Sequence, residues 1–228
     1  MNTQELIKIE DDYFINTFTR QPIVLDHGEG VKVYDIDGNE YLDMFAGIAV
    51  NALGHNHPKL VKAIQEQAEK LIHISSIYYN EPALIYAKKL IEMTSFDRIF
   101  YANSGAEANE GAIKLAVKYT GKSEVISTVE SFHGRTVVTL AATGHEHYHE
   151  PFKAILPKGF INVPYNDIEA IKEAITENTA AIIVEPIQGE GGVNVPDIEY
   201  LKEIEKICHE NDIVFIVDEV QTGFGRCG

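Results

Sequence analysis

Beyond Gly54 the sequence alternates short apolar runs with stretches of helical spacing, and this alternation limits the available folds more than any other feature. Arg98 to Ala102, Ser123 to Thr128, Phe160 to Val163, Ala180 to Val184 and Ile213 to Val217 are short and apolar, the signature of buried strands. Between them Ala106 to Tyr119, Asp167 to Thr176 and Ile198 to Glu210 repeat their apolar residues with the period of a helix. Strand and helix in strict alternation predict an α/β fold, a mostly parallel sheet with helices on both faces.

A different unit precedes it. Val31 to Asp43 reads VKVYDIDGNEYLD, alternating apolar and polar residues around Asp37-Gly38, which predicts a hairpin with a two-residue turn. Gly54-His-Asn-His-Pro58 is a turn cluster, and Leu60, Val61, Ile64, Ala68 and Leu71 follow at helical spacing. The expected organisation is a small N-terminal α+β segment over 1–54 and a larger domain over 55–228. A chain of 228 residues suits this, since domains average roughly 150 residues.

Charge narrows the function. Nineteen Lys and Arg against 35 Asp and Glu give a net charge of −16, the wrong sign for binding nucleic acid through its phosphates. The longest apolar run, Met44 to Val50, is far short of the roughly 18 residues of a membrane span. Glu5, Lys8, Glu10, Asp11 and Asp12 interrupt the start, so no signal-peptide pattern is present there. Cys208 and Cys227 make neither a disulfide framework nor a metal pair. The expectation is a soluble cytoplasmic protein with free thiols. After the strand at Ile213 to Val217 comes only DEVQTGFGRCG, with no helix to cover that strand, which predicts a truncated chain.

Four segments carry residues suited to chemistry. Asn103 to Glu110 (NSGAEANE) lies between an apolar run and a helix, with Ser104 and Glu107 at capping-box spacing. A helix start with a glycine offers free N–H groups and a positive dipole end to an anion. Phe132 to Thr136 (FHGRT) puts an aromatic ring and a guanidinium at the rim of the sheet, one to stack and one to grip a carboxylate. Glu185 to Gly192 (EPIQGEGG) places two carboxylates at a glycine-rich loop. Asp218 follows the last strand directly, where a carboxylate meets ligands bound outside the carboxyl ends of a parallel sheet. Two other patterns fail on context. Gly223 to Gly228 fits GxGxxG but precedes no helix, and the alternating His145, His147 and His149 have no fourth ligand, so no metal site is expected.

In this order and spacing the four segments resemble the class III, pyridoxal-phosphate-dependent aminotransferases, over Gln21 to Gly228. The resemblance implies the large domain of a type I pyridoxal-phosphate enzyme. It implies that Ser104, Gly105 and Ala106 hold the cofactor phosphate, that Phe132 stacks on its ring and that Asp218 pairs with the pyridine nitrogen. Gln221 would approach the phenolic oxygen, with Glu219 and Val220 completing the wall. Arg135 would take the substrate α-carboxylate, and Glu190 matches a glutamate that pairs with an arginine in the family's C-terminal part. The family's Schiff-base lysine would lie beyond Gly228, and no lysine follows Lys206, so this chain alone is expected to be inactive.

Within the family, Gly47 to His55 and Tyr78 to Pro82 are most similar to the branch that works on acetylated ornithine in arginine biosynthesis. The implied reaction moves an amino group from N2-acetyl-L-ornithine to 2-oxoglutarate. Ornithine, 4-aminobutyrate and succinyl-diaminopimelate are the alternative donors, and homodimerisation is implied as well. A reading of another class is a non-catalytic fragment that binds only the cofactor or a partner subunit.

Overall fold

The computed structural model describes residues 1–227. One compact unit ends at Glu92 and a second begins at Met93. The first unit opens with α1 (Thr3–Tyr13), whose N-cap Asn2 and Glu5 bond each other's backbone N–H in a capping box. Three strands, β1 (Leu25–Glu29), β2 (Lys32–Asp35) and β3 (Glu40–Leu42), make an antiparallel sheet in that order. The turn expected at Asp37-Gly38 joins β2 to β3. Gly38 adopts φ +84°, and the buried Asp35 carboxylate accepts the N–H groups of Asp37 and Asn39, the Asn39 amide and the Tyr41 hydroxyl. β1 has no apolar alternation to announce it. Its sequence is LDHGE, and pairing with β2 is what makes it a strand.

After β3 come α2 (Ala46–Ala49), α3 (Pro58–Lys70) and α4 (Glu81–Glu92). α2 is a left-handed turn: φ is +50° at Ala46, +63° at Gly47, +60° at Ile48 and +67° at Ala49. Left-handed backbone is costly for residues with a Cβ, most of all the β-branched Ile48, so the surroundings must hold it. Asp43 does so at its entry. One carboxylate oxygen accepts the N–H groups of Phe45 and Ala46, and the other lies 2.7 Å from Nε2 of His55. His55 in turn exchanges both backbone hydrogen bonds with Gly30 at the end of the β1–β2 hairpin. The division at Glu92 puts α3 and α4 in this first unit, whereas the sequence reading began the larger domain at residue 55.

The second unit contains α5 (Gly105–Thr120), β4 (Glu124–Thr128), α6 (Val137–Ala142), the short α7 (Glu146–His149), β5 (Phe160–Val163), α8 (Ile168–Ala174), β6 (Thr179–Val184), α9 (Tyr200–Glu210) and β7 (Val214–Val217). Its sheet runs β5-β4-β6-β7 with every pair parallel, which is the expected α/β architecture. Alternate residues of β6 go to opposite faces. Ile182 and Val184 join Ile126, Ile171 and Ile204 under α8 and α9, while Ala181 and Ile183 join Ile113, Ala116 and Val125 under α5 and α6. All six residues of β6 are buried, which is why Ala180 to Val184 within it reads as an unbroken apolar run. Arg98 to Ala102, expected as a strand, has no β pairing. Phe100 stays 78% exposed with its ring near Gly111 of α5, and a short apolar run becomes a strand only where a neighbour offers a free edge. Among the described residues no helix is long and apolar enough to cross a membrane.

The Asp43 contacts lead to a pH-dependent prediction. Its carboxyl titrates below the ordinary 3.8, chiefly because of the bond to His55 and then the Ala46 and Phe45 N–H groups. A depressed folded value means that the stabilisation is complete above 3.8 and disappears as pH falls through the folded value. Asp43→Asn should therefore lower the urea midpoint at pH 7, with the gap to wild type narrowing below pH 3.8. A gap unchanged between neutral and acid pH would refute this role.

Candidate active site

Three parallel strands of the second unit release functional side chains at their carboxyl ends, and α5 points its N-terminus at the same place. The first-turn N–H groups of a helix have no partner within it. Ser104 caps α5 by accepting the Glu107 N–H at 3.2 Å, and Glu107 folds back to accept the backbone and side-chain N–H groups of Asn103. Gly105 and Ala106, the first residues of the helix proper, line a cavity of about 290 Å³. Small-molecule pockets begin at roughly this size. Only glycine fits at 105, since a Cβ there would come within 2.7 Å of the Val220 side chain.

The loop after β4 brings Phe132, His133, Gly134 and Arg135 to the cavity, β6 brings Glu185, and β7 brings Asp218 followed by Val220 and Gln221. Asp218 is buried among polar partners. Oδ2 accepts the Asn109 side-chain N–H at 2.7 Å and the His133 Nδ1–H at 2.7 Å, while Oδ1 accepts the Val220 N–H at 3.1 Å. A carboxylate surrounded by donors is fixed in orientation. The bond puts the proton of His133 on Nδ1, and Nε2 is buried without a hydrogen-bond partner. Both N–H groups of the Asn109 amide are used, because it also donates to the His133 carbonyl at 2.9 Å.

Glu185 holds the aromatic wall. Its carboxylate accepts the Phe132 N–H at 3.0 Å and the Gly189 N–H at 3.3 Å, and burial pushes its titration above the ordinary carboxylate range. Arg135 stays exposed, its guanidinium carbon 3.5 Å from the centroid of the Tyr148 ring and 5.5 Å from that of Phe132.

The cavity thus offers amide N–H groups to an anion, a carboxylate to a cation, and an aromatic and an aliphatic side chain to a flat ring. Of the residues singled out from the sequence, Gly105, Ala106, Phe132, Arg135, Asp218, Val220 and Gln221 line it together. Ser104 sits at its edge as the helix cap, Glu219 is exposed outside it, and Glu190 is exposed and bonded to the Tyr148 hydroxyl at 3.2 Å. The three histidines at 145, 147 and 149 lie on and beside α7 instead of along one side of a strand. His149 bonds the Leu140 carbonyl, and the rings of His145 and His147 pack on Tyr148.

The sequence matches the family described as aminotransferase class-III over residues 14–228. The chain belongs to that family. It is 56% identical to the acetylornithine aminotransferase of Methanothermobacter thermautotrophicus, with all of the chain aligned to 58% of that protein. The ornithine aminotransferase of Toxoplasma gondii, whose structure shows partial occupancy of pyridoxal phosphate at its active site, superposes with a TM-score of 0.93 at 34% identity, covering 97% of this chain and 54% of that one. The acetylornithine aminotransferase of Elizabethkingia anophelis superposes with a TM-score of 0.81 at 36% identity, covering 99% and 55%. The chain therefore spans a little over half the length of these relatives.

Asn109, His133 and Tyr148 had no assigned role in the sequence reading. Asn109 did leave a signal: it is the polar member of an inward stripe of α5 that otherwise reads Gly105, Ala106, Ile113 and Ala116. A polar residue in such a stripe needs a buried partner. Truncating it should leave one oxygen of Asp218 and the His133 carbonyl short of a donor. Asn109→Ala is expected to lower stability by about 2 kcal/mol in urea unfolding; a loss within error would show that Asp218 does not depend on it.

Proposed function

We propose that the protein acts as a pyridoxal-phosphate-dependent aminotransferase, moving an amino group from N2-acetyl-L-ornithine to 2-oxoglutarate as a step of arginine biosynthesis. The observation that carries this reading is the buried Asp218 carboxylate, held by Asn109 and His133 in a cavity that also contains the N-terminus of α5 and the ring of Phe132. The donor set fits a molecule with an anionic end, a flat ring and a protonated ring nitrogen. Relatives at 56% and 54% identity that act on acetylornithine by name support the choice of donor, and the ornithine enzyme at 34% is the alternative.

In this reading the α5 amides of Gly105 and Ala106, with the Ser104 cap beside them, hold the phosphate. Asp218 would keep the proton on the ring nitrogen, Phe132 and Val220 would wall the ring, and Gln221 would face its oxygen. Glu219 stays in the supporting wall. Pyridoxal phosphate, when bound, supplies an electron sink for negative charge developing at the substrate's α-carbon. Arg135 grips the substrate carboxylate through its paired N–H groups and so fixes which bond of the α-carbon faces the ring. The exposed Ile77, Tyr78 and Tyr79 of the first unit support pairing with a second copy.

Among the described residues no lysine lines the cavity. The chemistry needs an amine to attach the cofactor and to shuttle the α-proton. The 228-residue chain by itself is thus expected to bind pyridoxal phosphate weakly, to give no borohydride-trapped lysine adduct and to show no turnover; a specific adduct in it would overturn this part of the account. In the full-length enzyme Asp218→Asn should lower kcat by several orders of magnitude with the fold retained, and Arg135→Lys should cost roughly 2 kcal/mol in kcat/KM for donor and oxo acid alike. Near-normal turnover of Asp218→Asn would remove the proposed function. A change confined to thermal stability would make Arg135 structural.

A further inference from the structure

Arg135 and Glu190 are opposite charges gathered around one side chain, yet they form no ion pair with each other, and Tyr148 touches both. Its ring carries the Arg135 guanidinium at 3.5 Å, and its hydroxyl donates to a Glu190 carboxylate oxygen at 3.2 Å. Among the described residues Arg135 has no ion pair at all, in a chain whose net charge is −16. A guanidinium and a carboxylate gathered on one side chain attract each other, so their separation needs a contact that holds them apart. The Tyr148 ring supplies that hold, since a guanidinium over an aromatic face within about 6 Å is attracted by the ring quadrupole.

We propose that Tyr148 is a positioning residue that keeps Arg135 and Glu190 apart, presenting the guanidinium to an incoming substrate carboxylate. The inference rests on the reading of Arg135 as the carboxylate anchor. Stacking covers the face of the guanidinium and leaves its in-plane N–H groups free, which are the groups that bind a carboxylate in a fork. The phenol hydroxyl occupies Glu190 at the same time, so the competing carboxylate is tethered by the side chain that holds the cation. Tyr148 is itself well supported. The His147 ring packs on it at 3.9 Å, the edges of His145 and Phe132 meet it at 5.4 and 6.4 Å, and the neighbouring His149 anchors α7 to the Leu140 carbonyl at 2.8 Å.

The test is glutarate binding to the cofactor-free 228-residue chain by titration calorimetry, with glutarate as an unreactive dicarboxylate probe. Arg135→Leu should abolish binding. Tyr148→Leu should weaken it by about tenfold, and Tyr148→Phe, which keeps the ring and frees Glu190, by about threefold. The decisive variants add Glu190→Gln. Tyr148→Leu/Glu190→Gln and Tyr148→Phe/Glu190→Gln should both recover most of the lost affinity, because the competitor is gone; a merely structural role for Tyr148 gives no such rescue. If Tyr148→Leu does not fold, the Phe pair carries the same test. Binding that needs Arg135 but is unchanged in the Tyr148 variants, or is not rescued by Glu190→Gln, overturns this inference alone. No binding, or binding indifferent to Arg135→Leu, overturns the carboxylate reading of Arg135 and this inference with it.

Discussion

One oxygen of Asp218 receives N–H groups from Asn109 and from His133, both at 2.7 Å, and in doing so it joins three segments that are distant in sequence. Asn109 belongs to α5, His133 to the loop after β4, and Asp218 to the end of β7. A buried carboxylate without donors is very costly, so an aspartate at the end of β7 depends on the helix and the loop that supply them. Each contact carries another. Fixing Asn109 sets the start of α5 and its free amides, and fixing His133 sets Phe132 on one side and Arg135 on the other. Gly105 then allows α5 to come up against Val220, which a Cβ would prevent.

The sheet provides the rigidity that this arrangement needs. β6 is buried along its whole length and pairs with β4 on one side and β7 on the other, so the three strands that release Phe132, Glu185 and Asp218 form a continuous ladder. Their carboxyl ends face the same way because the sheet is parallel, and that is where such sheets bind ligands. Glu185 adds a second tie across the ladder through the Phe132 N–H. Its raised titration is the cost of burying a carboxylate that accepts only backbone donors. Arg135, by contrast, lies over ring faces, those of Tyr148 and Phe132.

The parts legible in the sequence are those decided by local pattern. Phe160 to Val163 is a strand with the bounds read from its apolar run, and α5 begins at the Ser104 cap. Arg98 to Ala102 has the same local pattern but no strand beside it, and pairing is not a local property. β1 shows the reverse, a polar stretch that becomes a strand because β2 offers its edge. In the site, Gly105, Phe132, Arg135 and Asp218 stand out through position and residue type. Asn109 shows only as a polar residue in an apolar stripe and His133 not at all, since what ties both to the site is Asp218, which lies 109 and 85 residues away in the chain. Tyr148 is hidden in the same way, because the residue that gives it a role, Glu190, lies 42 residues on.

The proposed function rests most on Asp218, which would keep a proton on the nitrogen of a pyridoxal phosphate ring stacked on Phe132. Nitrogen-15 NMR of pyridoxal phosphate labelled at the ring nitrogen and bound to the protein tests it without relying on turnover. The account predicts that the nitrogen stays protonated on the wild-type protein as pH is raised past the point where the free cofactor loses that proton, and that Asp218→Asn, still binding the cofactor, loses it at the free-cofactor value. A ring nitrogen that titrates identically on both proteins, or is already unprotonated on the wild type, would contradict it.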